Sequence, residues 1–297
     1  MAIDTRELMK QVGRIKVITS RLVDERLSGE YHSVFKGQGI EFDEVREYVA
    51  GDDVRAIDWN VTARTGVPHV KKYVEERDLT VLLLLDVSSS QAFGSMYLTK
   101  RDLMAELAAL LAFAAVKNND RVGALLFSDR IERFVPPRKG VDHALAIARD
   151  ALYLAPKGRA TDLAFALKSA ASLLKQRAVI FVVSDFLSAG YEKALKTLNR
   201  RHDVVALPIT DPRETELPAR GLVRLRDAET GQARVFDLSD PGFRAAWARR
   251  TASPFPAPLG VFKSAGIDSI PLRTDAPYEM ALVKFFKERE RRKAAGR

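Results

Sequence analysis

The sequence has no cysteine among its 297 residues, which excludes disulfides, thiolate-held zinc, iron–sulfur clusters and any thiol nucleophile. A bound metal therefore has to be held by oxygen or imidazole. Imidazole is scarce as well: His32, His69, His143 and His202 fall at no HExxH or other ligand spacing and read as surface or partly buried side chains. Long apolar runs are also missing. The longest, Leu107 to Val116, is about half the ~20 residues a membrane span needs and follows Asp102 and Glu106, so no transmembrane helix is expected. The opening MAIDTRELMKQVGRIK places charges where a secretory signal needs an apolar core, and a cytoplasmic protein is expected. There is no GxxxxGK followed by Ser or Thr, and Gly37-Gln38-Gly39 lacks a third glycine at the required offset, which argues against nucleotide hydrolysis by this chain. GxSxG is absent too, so no nucleophile elbow is expected.

What is present is an ordinary globular composition. With 46% hydrophobic and 29% charged residues, the chain can bury a sizeable core and has no compositional room for a long disordered tract. The formal charge of +9 is unevenly spread. Residues 284–297 hold seven Lys or Arg against two Glu, whereas residues 1–78 hold 13 basic and 15 acidic groups. A basic end without interleaved aromatics beyond Phe286 reads as a solvated helix terminus complementing the helix dipole rather than a nucleic-acid tail.

Pattern divides the chain at about residue 78. In residues 1–78, Asp4 and Glu7 resemble a capping box ahead of Leu8, Val12, Ile15 and Leu22, an amphipathic helix over roughly 5–25. A stretch with Gly29, Gly37 and Gly39 precedes Phe42, Val45 and Tyr48, the turn Gly51-Asp52-Asp53, and Val70 and Val74, read as a small antiparallel unit. In residues 79–297, the apolar runs LTVLLLLDV, RVGALLFS, AVIFVVSD and DVVALPIT alternate with helical segments at about 99–117, 141–153, 162–175 and 191–200. Strand, helix, strand in repetition predicts an α/β fold with a doubly wound, mostly parallel sheet, whose ligands bind beyond the carboxyl ends of the strands. GLVRLRDAET and GQARVFDL follow as two short strands joined at Gly231, then helices around 241–250 and 278–292, with a proline-rich loop at 253–258.

The chemistry concentrates where the first central strand runs out, at Asp86-Val87-Ser88-Ser89-Ser90. A carboxylate and two hydroxyls at alternate positions of one loop can face one cavity, and such hard oxygen donors suit Mg²⁺, Mn²⁺ or Ca²⁺. Taken alone, Asp86 and Ser88 are also what a helix cap requires. Two further donors fall on the same sheet edge: Thr161, just before the helix LAFALKSA, and Asp185, at the end of AVIFVVSD.

DxSxS after the first strand, Thr161 and Asp185 together resemble the metal-ion-dependent adhesion site of von Willebrand factor A domains. The resemblance implies that Ser88 and Ser90 ligate a divalent ion, with Thr161 as a further candidate. Asp86 and Asp185 would act directly or through water, and one position would stay open for a partner's carboxylate. Upstream, residues 46–64 follow REYxPGDDxRxIDWxxxAR except that Ala50 replaces the proline. That segment is similar to the signature of the bacterial family called domain of unknown function 58, and the similarity extends over roughly residues 30–210. It implies a non-enzymatic protein-interaction module working with a MoxR-type AAA+ ATPase in assembling or activating other complexes. Within the signature, Arg46, Arg55 and Arg64 can pair with Asp52, Asp53 and Asp58 while Trp59 fills a junction, or Arg55, Trp59 and Arg64 can face a partner. Arg159, next to the candidate Thr161, is a further partner-facing candidate. The rival readings are a metal-dependent hydrolase using Asp86 or Asp185 as base, and nucleic-acid binding through the basic end.

Overall fold

The structure, a computed structural model, describes residues 40–75, 79–95, 98–214, 216–218, 220–227, 231–252 and 258–295. The helix expected at 5–25 and the stretch carrying Gly29, Gly37 and Gly39 lie outside the described residues. The chain divides into two units, one spanning residues 35–79 and one containing residues 80–297.

In the smaller unit, β1 (Ile40–Glu47) pairs antiparallel with β2 (His69–Glu75). Between them the family-like signature folds into a 3-10 turn, Val54–Ala56, and a helix, α1, Trp59–Thr65. The sequence reading contains no helix here. Its ends nonetheless obey local rules: the Asp58 carboxylate accepts from the N–H groups of Asn60 and Val61, and Gly66 closes the helix at φ 78°. Asp53 caps the 3-10 turn through the Arg55 N–H at 2.9 Å. Of the expected arginine–aspartate pairs, Arg46 to Asp52 is present and bidentate at 2.6 and 2.8 Å; it holds the Asp52 carboxyl below its usual range. Arg55, Arg64 and Trp59 are exposed, Trp59 to 71%.

The larger unit is built on a sheet in the order β10-β7-β6-β3-β4-β5, with β11 also on β7. Its members are β3 (Thr80–Asp86), β4 (Arg121–Phe127), β5 (Ile131–Arg138), β6 (Val179–Ser184), β7 (Asp203–Thr210), β10 (Asp268–Ser269) and β11 (Leu272–Arg273). All pair parallel except β4 with β5. Helices α2 (Lys100–Lys117), α3 (Val141–Tyr153), α4 (Leu163–Leu173), α5 (Glu192–Arg201), α6 (Pro241–Ala252), α7 (Pro258–Ala265) and α8 (Glu279–Ala294) complete it, with a hairpin of β8 (Leu222–Arg226) and β9 (Ala233–Asp237). The doubly wound, mostly parallel α/β sheet is as expected. Edge strand β5, helix α7 and the two-residue strands are additions, and Pro258 opens α7 instead of closing a loop.

The central strands are continuous apolar runs because both faces are covered. Leu82 and Leu84 pack with Leu163, Leu167, Leu195, Leu198 and Phe262, all fully or almost fully buried, and Leu83 and Leu85 on the opposite face are equally buried. Helix α2 is apolar nearly all round for the same reason. It starts from a capping box, Thr99 with Asp102, and Thr99→Ala should cost about 1 kcal/mol in chemical denaturation. At the basic end, Arg289 is buried and paired with Asp203, and Arg292 donates to Asp268 at 2.8 Å. Arg289 is thus committed to internal carboxylates, whereas Arg292 stays exposed while paired with Asp268.

Candidate functional site

The carboxyl edge of the parallel sheet brings three loops together. The first leaves β3 at Asp86 and passes through Ser88 into a 3-10 turn, Ser89–Ala92. The second, carrying Arg159 and Thr161, is tied to the first by the Ser89 N–H donating to the Arg159 carbonyl at 3.1 Å. The third follows β6 at Asp185 and meets the second where the Ser188 hydroxyl donates to the Thr161 carbonyl at 3.3 Å.

Four of the five expected residues form one connected oxygen cluster. The Ser88 and Ser90 hydroxyls lie 3.2 Å apart, and Ser90 donates to Asp185 Oδ2 at 2.8 Å. Asp86 Oδ1 accepts from the Ser88 N–H at 3.0 Å. Thr161 stands half-buried on the adjacent loop, its carbonyl accepting from the Ser188 hydroxyl of the third loop. Arg159 is exposed. Arg55, Trp59 and Arg64 belong to the smaller unit.

Three further residues complete the surroundings. The Ser184 hydroxyl donates to Asp86 Oδ2 at 2.6 Å and accepts from the Phe186 N–H at 3.1 Å. A hydroxyl ending an otherwise apolar strand was a usable signal for it. Lys100 Nζ, with a side chain only 1% exposed, donates to Asp185 Oδ2 at 2.8 Å and to Glu214 Oε1 at 2.6 Å. Glu214 is held in turn by the Asp211 N–H on Oε2 at 2.9 Å. Nothing in sequence spacing marks Lys100 or Glu214. The third loop is anchored by Phe186, which sits at φ 55°, a region a bulky residue enters only when packing holds it there. Its ring meets Phe262 at 4.9 Å and Tyr191 at 5.8 Å between centroids.

The electrostatics of the two aspartates differ. Asp86 is fully buried, and its pKa is pushed up to about 6, first by burial and then by the charge of Asp185, against the hydrogen bonds from Ser184 and Ser88. Asp185 has the Lys100 ammonium on it. For Lys100, burial works against the charge, but Asp185 and Glu214 outweigh it and the pKa is raised. One buried carboxylate is thus matched by a cation and the other meets only dipoles.

That asymmetry is a test of whether the residues fit a divalent ion, and they do. The donors are carboxylates and hydroxyls, the set that hard cations take. Among the described residues no group of three or more His, Cys, Asp or Glu converges, so an ion at this edge depends on the hydroxyls. Gln91, fully buried beside Ser90, has an Oε1 with no partner among the described residues. In the second loop a glycine is required for space: a Cβ on Gly158 would stand 2.2 Å from Ser128 Oγ and 2.0 Å from Asp129 Oδ1. Ser128 is pinned by its hydrogen bond to Glu132, which also accepts from the Gly158 and Lys157 N–H groups. Gly158→Ala should therefore lower stability by about 2 kcal/mol and displace the Thr161 loop, read as denaturation midpoint and as amide exchange at residues 157–161.

Several known proteins are similar to this chain. The uncharacterized protein Rv1480 of Mycobacterium tuberculosis is 34% identical over 297 residues, spanning 99% of this chain and 93% of its own length. Solved structures with a similar fold include an aerotolerance-related membrane protein from Bacteroides fragilis bearing multiple mutations to serines, at TM-score 0.47 and 15% identity over 72% of this chain and 99% of that one. Another is the SpRpn10 VWA domain, at TM-score 0.39 and 15% identity over 69% of this chain and 93% of that one. The family model described as "Protein of unknown function DUF58" matches residues 44–254, which takes in the signature at 46–64 and all three loops of the site, and the chain belongs to that family.

Proposed function

We propose that the chain is a metal-ion-dependent protein-interaction module, without catalysis of its own, that uses a divalent ion at the Asp86 edge to capture an acidic side chain of a partner. The observation that supports it most is the buried Asp86 carboxylate, unmatched by any side-chain cation that contacts it, in a cluster whose other donors are hydroxyls. Ser88, Ser90, Thr161, Asp86 and Asp185 would hold the ion, with Mg²⁺ the first candidate and Mn²⁺ or Ca²⁺ the alternatives. A bound divalent ion supplies the positive charge to which a partner's Asp or Glu can coordinate. With two carboxylates and neutral hydroxyls around it, the ion keeps the affinity for a third carboxylate that a fully anionic cage would lose.

The protein side of that contact is partly apolar. Phe93 on the first loop, Phe165 in the first turn of α4 and Leu187 on the third loop are exposed to 39%, 44% and 47%, so the matching partner segment carries an acidic residue beside apolar ones. By family resemblance the partner is a MoxR-type AAA+ ATPase or its client, met in the cytoplasm, in the assembly or activation of other protein complexes. A hydrolase reading gains no support from the loops, since residues 86–95, 157–162 and 185–190 contain no histidine to act as general acid.

The test is isothermal titration of Mg²⁺ and Mn²⁺ into metal-free chain beside Asp86→Ala and Ser88→Ala. One saturable site in the wild type, lost in both variants, is expected. Unchanged binding in the variants would place the ion elsewhere, and a wild type that takes up neither ion would end the metal reading.

A further inference from the structure

The position of Lys100 is costly unless it has a purpose. It is the first residue of α2, its side chain is 1% exposed, and the ammonium bridges Asp185 and Glu214. Lysine is almost never buried unless paired, and here one of the pairing carboxylates belongs to the candidate ion site. An ammonium in that place holds Asp185 Oδ2, the atom that also accepts from Ser90, and it repels any cation arriving at the same oxygens. Glu214, positioned by the Asp211 N–H, offsets part of that repulsion from the far side of the lysine. Asp86, Asp185 and Glu214 with Lys100 leave a formal charge of −2 in this cluster, which a divalent ion cancels.

We infer that Lys100 is a built-in counter-cation that sets the affinity of the metal site, keeping it weak, with Glu214 as the group that trims its effect. The inference rests on the metal-site reading above. It gives opposite signs for two neighbouring, nearly isosteric substitutions. Lys100→Met removes the repelling charge and frees Asp185 Oδ2, so the ion binds more tightly, by about tenfold or more. Glu214→Gln keeps the hydrogen-bonding shape but leaves the lysine less compensated, so the ion binds more weakly, by about fivefold. A purely structural role for Lys100 predicts that both substitutions loosen the site and weaken binding together.

The experiment is calorimetric titration of Mg²⁺ and Mn²⁺ at pH 8 into full-length wild type, Lys100→Met and Glu214→Gln, with circular dichroism to establish that each variant folds. Tighter binding by Lys100→Met together with weaker binding by Glu214→Gln supports the inference. A wild type that takes up no ion while Lys100→Met does ends the metal reading of the native chain and overturns the inference with it, because a site the lysine closes has no affinity to set. A wild type that binds while the two variants move together, or do not move, overturns the role of Lys100 and leaves the metal site standing. Absence of binding in the wild type and in every variant that folds overturns both. If Lys100→Met does not fold, Lys100→Gln takes its place: tighter binding than wild type supports the inference, and equal or weaker binding refutes it.

Discussion

Metal-free protein carrying Asp86→Asn is expected to be more stable than the wild type at pH 8, by an amount on the order of 3 kcal/mol. The reason is the sign of the pKa shift. Burial and the neighbouring Asp185 raise the folded-state pKa of Asp86 from 3.8 to about 6, so the native state holds this proton more tightly than the unfolded chain does. The stability associated with the protonated acid is present at low pH, falls as pH rises from about 4 to about 6, and is gone above that. Asparagine imitates the protonated acid: its oxygen still accepts from the Ser88 N–H, and its amide can donate to the Ser184 hydroxyl. The gain should shrink as the pH is lowered from 6 toward 4, and it should be accompanied by complete loss of Mg²⁺ binding. Urea denaturation in the presence of a chelator at pH 8 and pH 5 measures it. Equal midpoints for the two proteins at pH 8 would mean that the Asp86 charge is already compensated in the metal-free chain.

The carboxylate, the two serines and the second aspartate could all be placed on one sheet edge from spacing alone, because apolar runs marked the central strands and the donors followed their ends. The outer parts of the fold were harder to see. Strand β5 contains Pro136 and Pro137 and is only half-buried, a pattern tolerated because it is an edge strand with one side unpaired. The glycine opposite it, Gly123, leaves no room for a Cβ, which would meet Val135 O at 2.7 Å and Pro137 N at 2.8 Å; that close approach depends on pairing and is invisible in a periodicity. Helix α1 escaped because its seven residues are too few to show a helical repeat, although Asp58 and Gly66 carried the cap signals. Lys100 and Glu214 escaped for a different reason. A lysine opening a helix ordinarily reads as a solvated residue, and only the fold brings residues 100, 185 and 214 within hydrogen-bonding distance.

That triad predicts the opposite result for the other aspartate of the site. Asp185→Asn should lower the stability of metal-free protein at pH 8 by about 3 kcal/mol, because removing one partner of a buried ion pair leaves the other charge incompletely compensated. Asp185 Oδ2 accepts from both Ser90 and Lys100 while Oδ1 accepts from the Leu187 N–H at 3.2 Å. An asparagine has one acceptor oxygen for those two groups of donors, and turning its amide toward Lys100 sets donor against donor. Glu214 remains, but its side chain is 26% exposed and it cannot replace a partner at 3% exposure. Adding Lys100→Met to Asp185→Asn removes the stranded ammonium and should recover part of the loss, since an apolar group of similar length suits a buried position that no longer needs charge. Two aspartates of one motif would then differ in sign, Asp86 destabilising and Asp185 stabilising the metal-free fold. Their only large difference in environment is the lysine, so matching signs in the two asparagine variants would show that Lys100 does not govern the charge balance of this edge.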